Sequence, residues 1–296
     1  MSLLLPTSLD EAVGMLGEHP DALILAGGTD LMVEINDGHR RPDDVVVAVN
    51  RVPELRSWRH DPAAATLTIG AAITYTELLS DPLATFSPAL AEASRTVGSP
   101  QIRNAGTLAG NLGTCSPAGD ALPVLAALDA TVTLASAAGV RTMPVREFMT
   151  GVKRTAIEPG ELIVEITVPT ARGWQGYAKV GVRNAMVIAV ATACLVVDEA
   201  DQRVALALGS VGPTIIRCEE AETQLGGALD WATMIGTADD LTTFGRLAAA
   251  AARPITDHRS SAEYRRHAVG VLATRLARRA VAAGRRSPGN GVTVAA

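Results

Sequence analysis

The sequence predicts an α+β protein with about two domains. Its 296 residues, 48% of them hydrophobic, are enough to form sizeable cores. As far as about residue 172, one segment of helical periodicity near the N-terminus is followed by several short apolar runs typical of buried strands. Three more strand candidates follow and the chain then finishes in helices, so we expect a sheet with helices in its C-terminal part.

The first stretch predicts a helix, a strand and a glycine turn, in that order. Ser8 and Glu11 have the spacing of a capping box, and the apolar periodicity that follows predicts a helix. The apolar run 22–26 predicts a buried strand that leads into a tight turn at 27–30. Residues 31–36 can then form a helix or an extended segment.

Four strands and one apolar segment are expected in the middle of the chain. Runs of buried-strand character lie at 45–49, 67–71, 130–135 and 162–169. Residues 121–128 form an apolar segment directly after the richest glycine stretch.

The C-terminal stretch predicts strands followed by helices. Its strand candidates are 177–180, 187–197 and 204–208. Ser260 and Glu263 have capping-box spacing, and Gly270 within the helix that follows costs about 1 kcal/mol relative to alanine, so this helix should rely on packing. One side of it carries arginines that we expect to face solvent: Arg265, Arg266, Arg275 and Arg279. The tail 285–296 is expected to be disordered.

Composition excludes several classes of protein. A net charge of −5 gives no basic field for nucleic acid, and an aromatic content of 3% leaves few residues for base stacking. The N-terminus lacks the basic and apolar regions of a signal peptide, and the longest apolar stretch, 185–197, is too short to span a bilayer. The sequence therefore predicts a cytoplasmic protein without a transmembrane segment.

The motifs of common catalytic and metal sites are missing from the sequence. Cys115, Cys194 and Cys218 are widely spaced and odd in number, which argues against a disulfide framework and against an iron–sulfur or zinc site. There is neither a Gly-x-x-x-x-Gly-Lys phosphate loop nor a Gly-x-Gly-x-x-Gly motif after a strand. We therefore predict no catalytic side chain and no metal site in this chain.

The stretch 98–120 is the most informative part of the chain, and it contains the second of two glycine-bearing loops, 26–31 and 106–120. Glycine removes the Cβ that would hold the main chain away from a ligand, so successive N–H groups can converge on phosphate oxygens. The second loop adds hydroxyl, amide and carboxylate groups suited to phosphates and sugar hydroxyls. Together the loops suit one long, phosphate-bearing organic cofactor, although each also fits a plain polar turn.

Five segments, in order along almost the whole chain, carry a resemblance to a known family. They are AGGTDLMVEIN at 26–36, LTIGAAITYTEL at 67–78, GSPQIRNAGTLAGNLGTCSPAGDALPVLAALDA at 98–130, PGELIVEITVP at 159–169 and PITDHRSSAEYRRHAVGVLATRLARRA at 254–280. The chain resembles the medium, FAD-binding subunit of molybdenum hydroxylases, the xanthine dehydrogenase and carbon monoxide dehydrogenase family.

This resemblance implies a fold and its boundaries. The fold is a flavin domain of the vanillyl-alcohol-oxidase (PCMH) type in two α/β halves, followed by a smaller domain of antiparallel sheet and helices. The flavin domain is expected at 1–172, with subdomains of about 1–55 and 56–172. The C-terminal flavoprotein domain is expected at 173–284.

The family's cofactor-binding roles transfer to the positions that match its motifs. The first loop should hold the FAD diphosphate with its backbone amides, and consists of Ala26, Gly27, Gly28, Thr29, Asp30 and Leu31. The second segment should meet phosphate oxygens and sugar or ribityl hydroxyls through Thr107, Gly110, Asn111, Thr114 and Asp120. Leu162 and Ile163 correspond to residues beside the flavin or adenine rings, and Lys179 to a lysine near the cofactor.

Some of these residues also have structural explanations. Asp120 fits an N-cap of the following apolar segment, a role compatible with binding. Arg103 is expected to brace the loop rather than take part in chemistry. Ala109 stands where many relatives have glycine, so the close approach there must tolerate a methyl group.

The resemblance implies an FAD-dependent oxidoreductase subunit that transfers electrons. A molybdopterin large subunit hydroxylates the substrate, [2Fe–2S] clusters of a small subunit carry electrons singly, and FAD passes them to NAD, a quinone or oxygen. Three cysteines cannot bind two such clusters, so the partners must be separate chains, and we expect a heterotrimer that is doubled to a heterohexamer. The first glycine loop reads Gly-Gly-Thr-Asp, whereas the resemblance associates Gly-Gly-His-Ser with the carbon monoxide dehydrogenases of the family. This difference favours a purine or another N-heterocycle as substrate over carbon monoxide.

Three alternatives stay open. The first is the medium subunit of a carbon monoxide dehydrogenase. The second is a free-standing FAD-dependent oxidoreductase of the same fold, although the C-terminal part offers no acid and base set of its own. The third is a non-catalytic assembly subunit with a degenerate flavin site, against which the intact Gly27, Gly28, Asn111 and Asp120 argue.

Overall fold

Three sheets and a short hairpin organise the fold. The computed structural model describes residues 2–38, 45–170 and 173–284, so the predicted disordered tail 285–296 lies outside the described residues. The first sheet is parallel and its strands are β1 Ser2–Leu4, β2 Leu23–Leu25 and β3 Val45–Ala48. In this sheet β3 is central and pairs with both other strands.

The second sheet is antiparallel and fills the middle of the chain. The strands of this part are β4 Trp58–Asp61, β5 Thr66–Gly70, β6 Thr131–Ser136, β7 Gly139–Pro144, β8 Met149–Gly151, β9 Arg154–Thr155 and β10 Leu162–Pro169. Five of them form a sheet in the order β4-β5-β10-β6-β7, while β8 and β9 form the separate hairpin.

Helices surround these two sheets. They are α1 Leu9–Glu18, α2 Leu31–Asn36, α3 Tyr75–Leu78, α4 Leu83–Phe86, α5 Pro88–Thr96, α6 Pro100–Ala105, α7 Leu108–Thr114, α8 Leu122–Ala127 and α9 Val145–Phe148, with 3₁₀ turns at Val49–Arg51 and Pro53–Arg56. Ser8 caps α1, since its hydroxyl oxygen accepts a hydrogen bond from the Glu11 amide. The Glu11 carboxylate instead accepts a hydrogen bond from the Thr7 amide, so only half of the predicted capping box forms.

The C-terminal part is an antiparallel sheet covered by helices. Its elements are β11 Gly173–Val180, β12 Ala191–Asp198, β13 Arg203–Gly209, β14 Ile216–Arg217, α10 Glu219–Ala228, α11 Ala238–Ala251 and α12 Ala262–Gly284. The strands follow one another in sequence order across the sheet. The predicted α+β fold class is confirmed.

Strand β12 accounts for the later part of the apolar run 185–197, because it begins at Ala191, four residues after the predicted start of the strand 187–197. Ala191, Ala193 and Leu195 lie in the core beneath the C-terminal helices, whereas Cys194 and Val196 lie in the core of the preceding part. A strand that is buried on both faces carries apolar residues at every position rather than at alternate ones. The C-terminal sheet is therefore packed on both sides. Within the described residues no helix is long and apolar enough to cross a bilayer.

The start of α12 differs from the prediction. The Tyr264 amide donates a hydrogen bond to the hydroxyl oxygen of Ser261, not to that of Ser260, at 3.1 Å. The Ser260 amide instead donates to Asp257 Oδ1 at 3.2 Å. The predicted capping box of Ser260 and Glu263 is therefore wrong, because Asp257 forms its own turn with the residues that precede the helix.

Arg265 is buried, so the predicted solvent-facing role is wrong at this position. Its guanidinium donates to the carbonyl oxygens of Val190, at 2.8 Å, and Ser210, at 3.0 Å. It also donates to Asp257 Oδ1 at 2.6 Å. Buried carbonyl groups need hydrogen-bond donors, and Arg265 supplies one to each of these two from α12. This contact ties the last helix to the sheet.

Asp257→Asn is expected to lower the free energy of unfolding at pH 7 by about 2 kcal/mol, because Arg265 loses a charged hydrogen bond. Burial opposes ionisation of Asp257, but hydrogen bonds from the Arg259 amide and the Arg265 guanidinium outweigh it and hold the pKa well below its ordinary value of 3.8. The stabilisation is therefore present above about pH 4 and is lost as pH falls towards the lower folded pKa.

Denaturant unfolding of the wild type and Asp257→Asn at pH 7 and at decreasing pH below 4 measures this effect. The two proteins should converge in stability as the pH falls. Asp201→Asn, in an exposed turn, is the control and should behave as wild type. A stability gap that stays constant with pH would contradict the ionic contribution.

Candidate cofactor site

A cavity of about 570 Å³ lies between the two glycine-bearing loops. Loop 26–31 connects β2 to α2, and the second segment continues into α7. The predicted site residues that line the cavity are Ala26, Gly27, Gly28, Thr29, Asp30, Leu31, Thr107, Gly110, Asn111, Thr114, Leu162 and Ile163. Asp120 and Lys179 lie outside this lining. The fold thus brings together most of a set that is widely spread in sequence.

The first loop contacts the end of α6 through bare backbone. A Cβ placed on Gly27 would lie 1.9 Å from the Ala105 carbonyl oxygen, which is far inside van der Waals contact. Gly28 has a φ of +70°, a conformation that favours glycine. Its carbonyl oxygen accepts the Met32 amide at 2.9 Å, at the start of α2. Both glycines are therefore required by this geometry.

The second segment presents the N-terminal side and one face of α7. Thr107 caps the helix, since its Oγ1 accepts the Gly110 amide at 2.9 Å. A hydroxyl that accepts in this way still has a proton to donate to a ligand oxygen. Thr114 donates to Asp30 Oδ2 at 3.0 Å and so links the two loops. Asn111 Oδ1 is buried and has no hydrogen-bond partner within the described part of the chain.

Asp120 and Lys179 form a buried ion pair instead of lining the cavity. Lys179 Nζ lies 2.8 Å from Asp120 Oδ2, and both side chains are less than a tenth exposed. The Tyr177 hydroxyl donates to Asp120 Oδ1 at 2.7 Å, and Lys179 also donates to the Thr96 carbonyl. Burial raises the pKa of Asp120, and Lys179 and Tyr177 oppose this rise.

The N-cap alternative for Asp120 is wrong. Ala121 occupies the N-cap position of α8, and the Asp120 carboxylate is used by Tyr177 and Lys179. The pair joins the second glycine segment to β11 of the C-terminal sheet. Arg103 braces the loop as predicted, because its guanidinium donates to the carbonyl oxygens of Val97 and Gly98.

The cavity also contains residues to which the sequence analysis gave no role. Tyr75, Glu34 and Lys153 all line it. The Tyr75 hydroxyl is fully buried and lacks a hydrogen-bond partner in the ranges that the structure describes. Its pKa lies well above the ordinary value, first because of burial and then because of the Asp120 and Asp30 charges. Tyr75 lies in the segment LTIGAAITYTEL, but there a lone tyrosine is hard to distinguish from a core residue.

Ala109 also lines the cavity, where its methyl group is almost fully buried. The departure from glycine is therefore accommodated in the folded chain.

Comparison with known proteins decides the family. Residues 1–171 match the model of a family described as the FAD binding domain in molybdopterin dehydrogenase. The chain belongs to the FAD-binding medium subunits of the molybdenum hydroxylases. Residues 177–280 match the CO dehydrogenase flavoprotein C-terminal domain. The predicted family, the FAD cofactor and the oxidoreductase class are confirmed.

Relatives of this medium subunit come from several molybdenum hydroxylases. The nicotinate dehydrogenase FAD-subunit of Eubacterium barkeri is 37% identical over 75% of this chain and 78% of its own. The carbon monoxide dehydrogenase medium chain of Hydrogenophaga pseudoflava is 31% identical over 91% of this chain and 93% of its own. In the crystal structure of quinoline 2-oxidoreductase from Pseudomonas putida 86, the matching chain gives a TM-score of 0.86 at 26% identity, covering 96% of this chain and 98% of that one.

The residues around the cavity of this medium subunit fit FAD. The backbone at Gly27 is packed so closely that a side chain has no room there. Tyr75 offers a buried donor and Asn111 a buried acceptor that lack partners among the described residues. Buried polar groups of this kind are costly unless a ligand or water pairs with them. A cofactor with phosphate and hydroxyl groups supplies such partners.

Tyr75→Phe is expected to weaken FAD binding about fivefold, because one buried hydrogen bond is worth about 1 kcal/mol. Without FAD, the variant should be at least as stable as wild type, since it removes a hydroxyl that lacks a partner. Fluorescence titration with FAD and thermal unfolding measure the two effects. Tyr264→Phe, half exposed on α12, is the control. Equal losses of stability and affinity in Tyr75→Phe would indicate a purely structural role.

Proposed function

We propose that the cavity holds FAD and that the chain passes electrons from [2Fe–2S] clusters of a partner subunit to an electron acceptor. The observation that carries this proposal is the meeting of two glycine-bearing loops at one cavity, whose lining includes Tyr75 and Asn111, two residues with buried polar atoms that lack partners among the described residues. When bound, FAD supplies the redox chemistry that links single-electron clusters to a two-electron acceptor.

The residues of the chain bind and orient the cofactor. Backbone amides of loop 26–31 bind the diphosphate. The absence of a side chain at Gly27 lets this loop pack against the Ala105 backbone at the end of α6, which holds the loop in place. Asn111 and Thr114 meet phosphate or sugar oxygens, and Leu162 and Ile163 form an apolar wall for a ring. Asp120 and Lys179 act behind the cavity by fixing β11 against the second segment.

The domain boundaries belong to the same proposal. Residues 1–172 form the flavin domain, with subdomains of about 1–55 and 56–172, and residues 173–284 form the C-terminal domain. Two hydrophobic clusters support this division, one centred on the first part of the chain and the other on the C-terminal sheet and its helices.

The partners follow from the cysteine content and the relatives. Two [2Fe–2S] clusters need about eight thiolates, and the chain has three cysteines. Relatives are named as a FAD-subunit, a medium chain and a medium subunit. We therefore propose a small iron–sulfur subunit, a large molybdopterin subunit and a dimer of heterotrimers in the cytoplasm, with NAD, a quinone or oxygen as acceptor.

An N-heterocycle is the proposed substrate of the complex. The nicotinate dehydrogenase relative is 37% identical, and a nicotine 6-hydroxylase medium subunit is 30% identical over 75% of this chain. The carbon monoxide dehydrogenase medium chain of Hydrogenophaga pseudoflava, at 31% identity over more of the chain, supports carbon monoxide as the second candidate. The loop sequence Gly-Gly-Thr-Asp favours the N-heterocycle.

The test is purification of the chain from its native host, with its visible spectrum and an inventory of co-purifying chains and metals. Flavin absorption with two companions that carry iron and molybdenum would support the proposal. Flavin without companions would favour a free-standing flavoenzyme. No flavin, even after FAD is added, would contradict the assignment of both glycine-bearing loops.

A further inference from the structure

Lys153 is the only positively charged side chain that lines the cavity among the described residues. The other charged side chains of this lining are the acids Asp30 and Glu34. A diphosphate that enters a cavity with two carboxylates is repelled unless a cation is near. Among the side chains of the cavity lining, Lys153 is therefore the one whose charge can add to the attraction that backbone amides exert on an anionic cofactor.

The backbone of Lys153 is fixed beside the second glycine segment. Lys153 forms the turn between β8 and β9 with a φ of +52°, and its amide donates to the Cys115 carbonyl at 3.0 Å. Cys115 directly follows α7, the helix that carries Asn111 and Thr114. The lysine side chain thus starts from an anchored position at the edge of the cavity.

The side chain of Lys153 is held by a partner that it can exchange. Its Nζ lies 2.6 Å from Glu34 Oε1, and the two side chains are 55% and 26% exposed. Exposed ion pairs contribute little to stability, so moving the ammonium from Glu34 to another anion has a low cost. Glu34 lies on α2, the helix that follows the first glycine loop, so this exchange keeps Lys153 close to that loop.

We propose that Lys153 binds the diphosphate of FAD and that Glu34 competes with the cofactor for the Lys153 ammonium. This inference rests on the proposed function of the cavity. It assigns opposite effects to the two partners of one ion pair, since the lysine attracts the diphosphate and the glutamate both repels it and engages the lysine. A purely structural ion pair would give effects of the same sign.

The experiment is a fluorescence titration of the deflavinated full chain with FAD. Lys153→Gln is expected to raise the dissociation constant about tenfold, which corresponds to about 1.4 kcal/mol. Lys153→Arg should stay near wild type because it keeps the charge. Glu34→Gln should lower the dissociation constant about threefold. Added salt should weaken FAD binding more in wild type than in Lys153→Gln, because the charge attraction is screened.

The ion pair of Arg59 and Glu165 is the matched control. It has a separation of 2.8 Å and side-chain exposures of 66% and 22%, close to those of Lys153 and Glu34, and it joins β4 to β10 away from the cavity lining. Arg59→Gln and Glu165→Gln should therefore leave the FAD dissociation constant unchanged. Thermal unfolding of all variants establishes that they are folded.

The outcomes separate this inference from the proposed function. If wild type binds FAD and Lys153→Gln binds as tightly as Arg59→Gln, the inference is wrong and the proposed function stands. If Lys153→Gln and Glu34→Gln both weaken binding, the pair is structural and the inference is again wrong. If Lys153→Gln fails to fold, tighter binding by Glu34→Gln supports the inference and unchanged or weaker binding overturns it. A wild-type chain that does not bind FAD overturns both.

Discussion

Gly27→Ala is expected to weaken FAD binding by at least about a hundredfold, or about 2.7 kcal/mol. The added Cβ would lie 1.9 Å from the Ala105 carbonyl oxygen and 2.6 Å from its carbonyl carbon. Both are backbone atoms, so no side-chain rotation relieves the overlap, and the first glycine loop must move away from α6. Such a shift opens the cavity where the diphosphate is proposed to bind.

Titration of the deflavinated chain with FAD measures this effect, and Gly14→Ala is its control. A Cβ at Gly14, inside α1, meets no atom of the described residues within 4 Å. This control should bind FAD as wild type does and should gain up to about 1 kcal/mol of stability, because alanine favours helix. Binding by Gly27→Ala within about threefold of wild type would show that the contact between loop and helix is not needed for the site.

Asp120→Asn is expected to lower the free energy of unfolding by about 3–5 kcal/mol, because it leaves a buried lysine without its counter-charge. Lys179 Nζ lies 2.8 Å from Asp120, and its side chain is 7% exposed. The Tyr177 hydroxyl also loses a charged acceptor at 2.7 Å. Denaturant unfolding at neutral pH measures the loss.

Two further variants identify the cause of this loss. Asp120→Asn combined with Lys179→Met removes both charges and should recover most of the stability, since a lone buried charge costs more than none. Asp129→Asn is the control: Asp129 is half exposed, and its partner Arg217 keeps Glu222 at 2.7 Å. A double variant as unstable as Asp120→Asn would contradict the electrostatic cause. FAD titration of the stable double variant would show whether the pair also affects cofactor binding.

Much of the fold could be predicted from local patterns. The strands predicted at 45–49, 67–71, 130–135 and 162–169 all form, with ends that differ by at most one residue. Residues 31–36 become α2 rather than an extended segment, and the apolar segment 121–128 contains the buried helix α8. Periodicity alone could not decide these two segments, because a short apolar run suits a buried helix as well as a strand.

The sequence by itself determined the two glycine-bearing loops, the fold class and the family, because backbone packed as closely as at Gly27 requires glycine and the motifs that carry the family resemblance are local. Only the tertiary structure decided which distant residues meet. It paired Asp120 with Lys179, buried Arg265 within a helix face predicted to be solvated, and brought Tyr75 and Lys153 to the cavity. These roles depend on burial and on partners from other elements, and neither is encoded in the spacing of neighbouring residues.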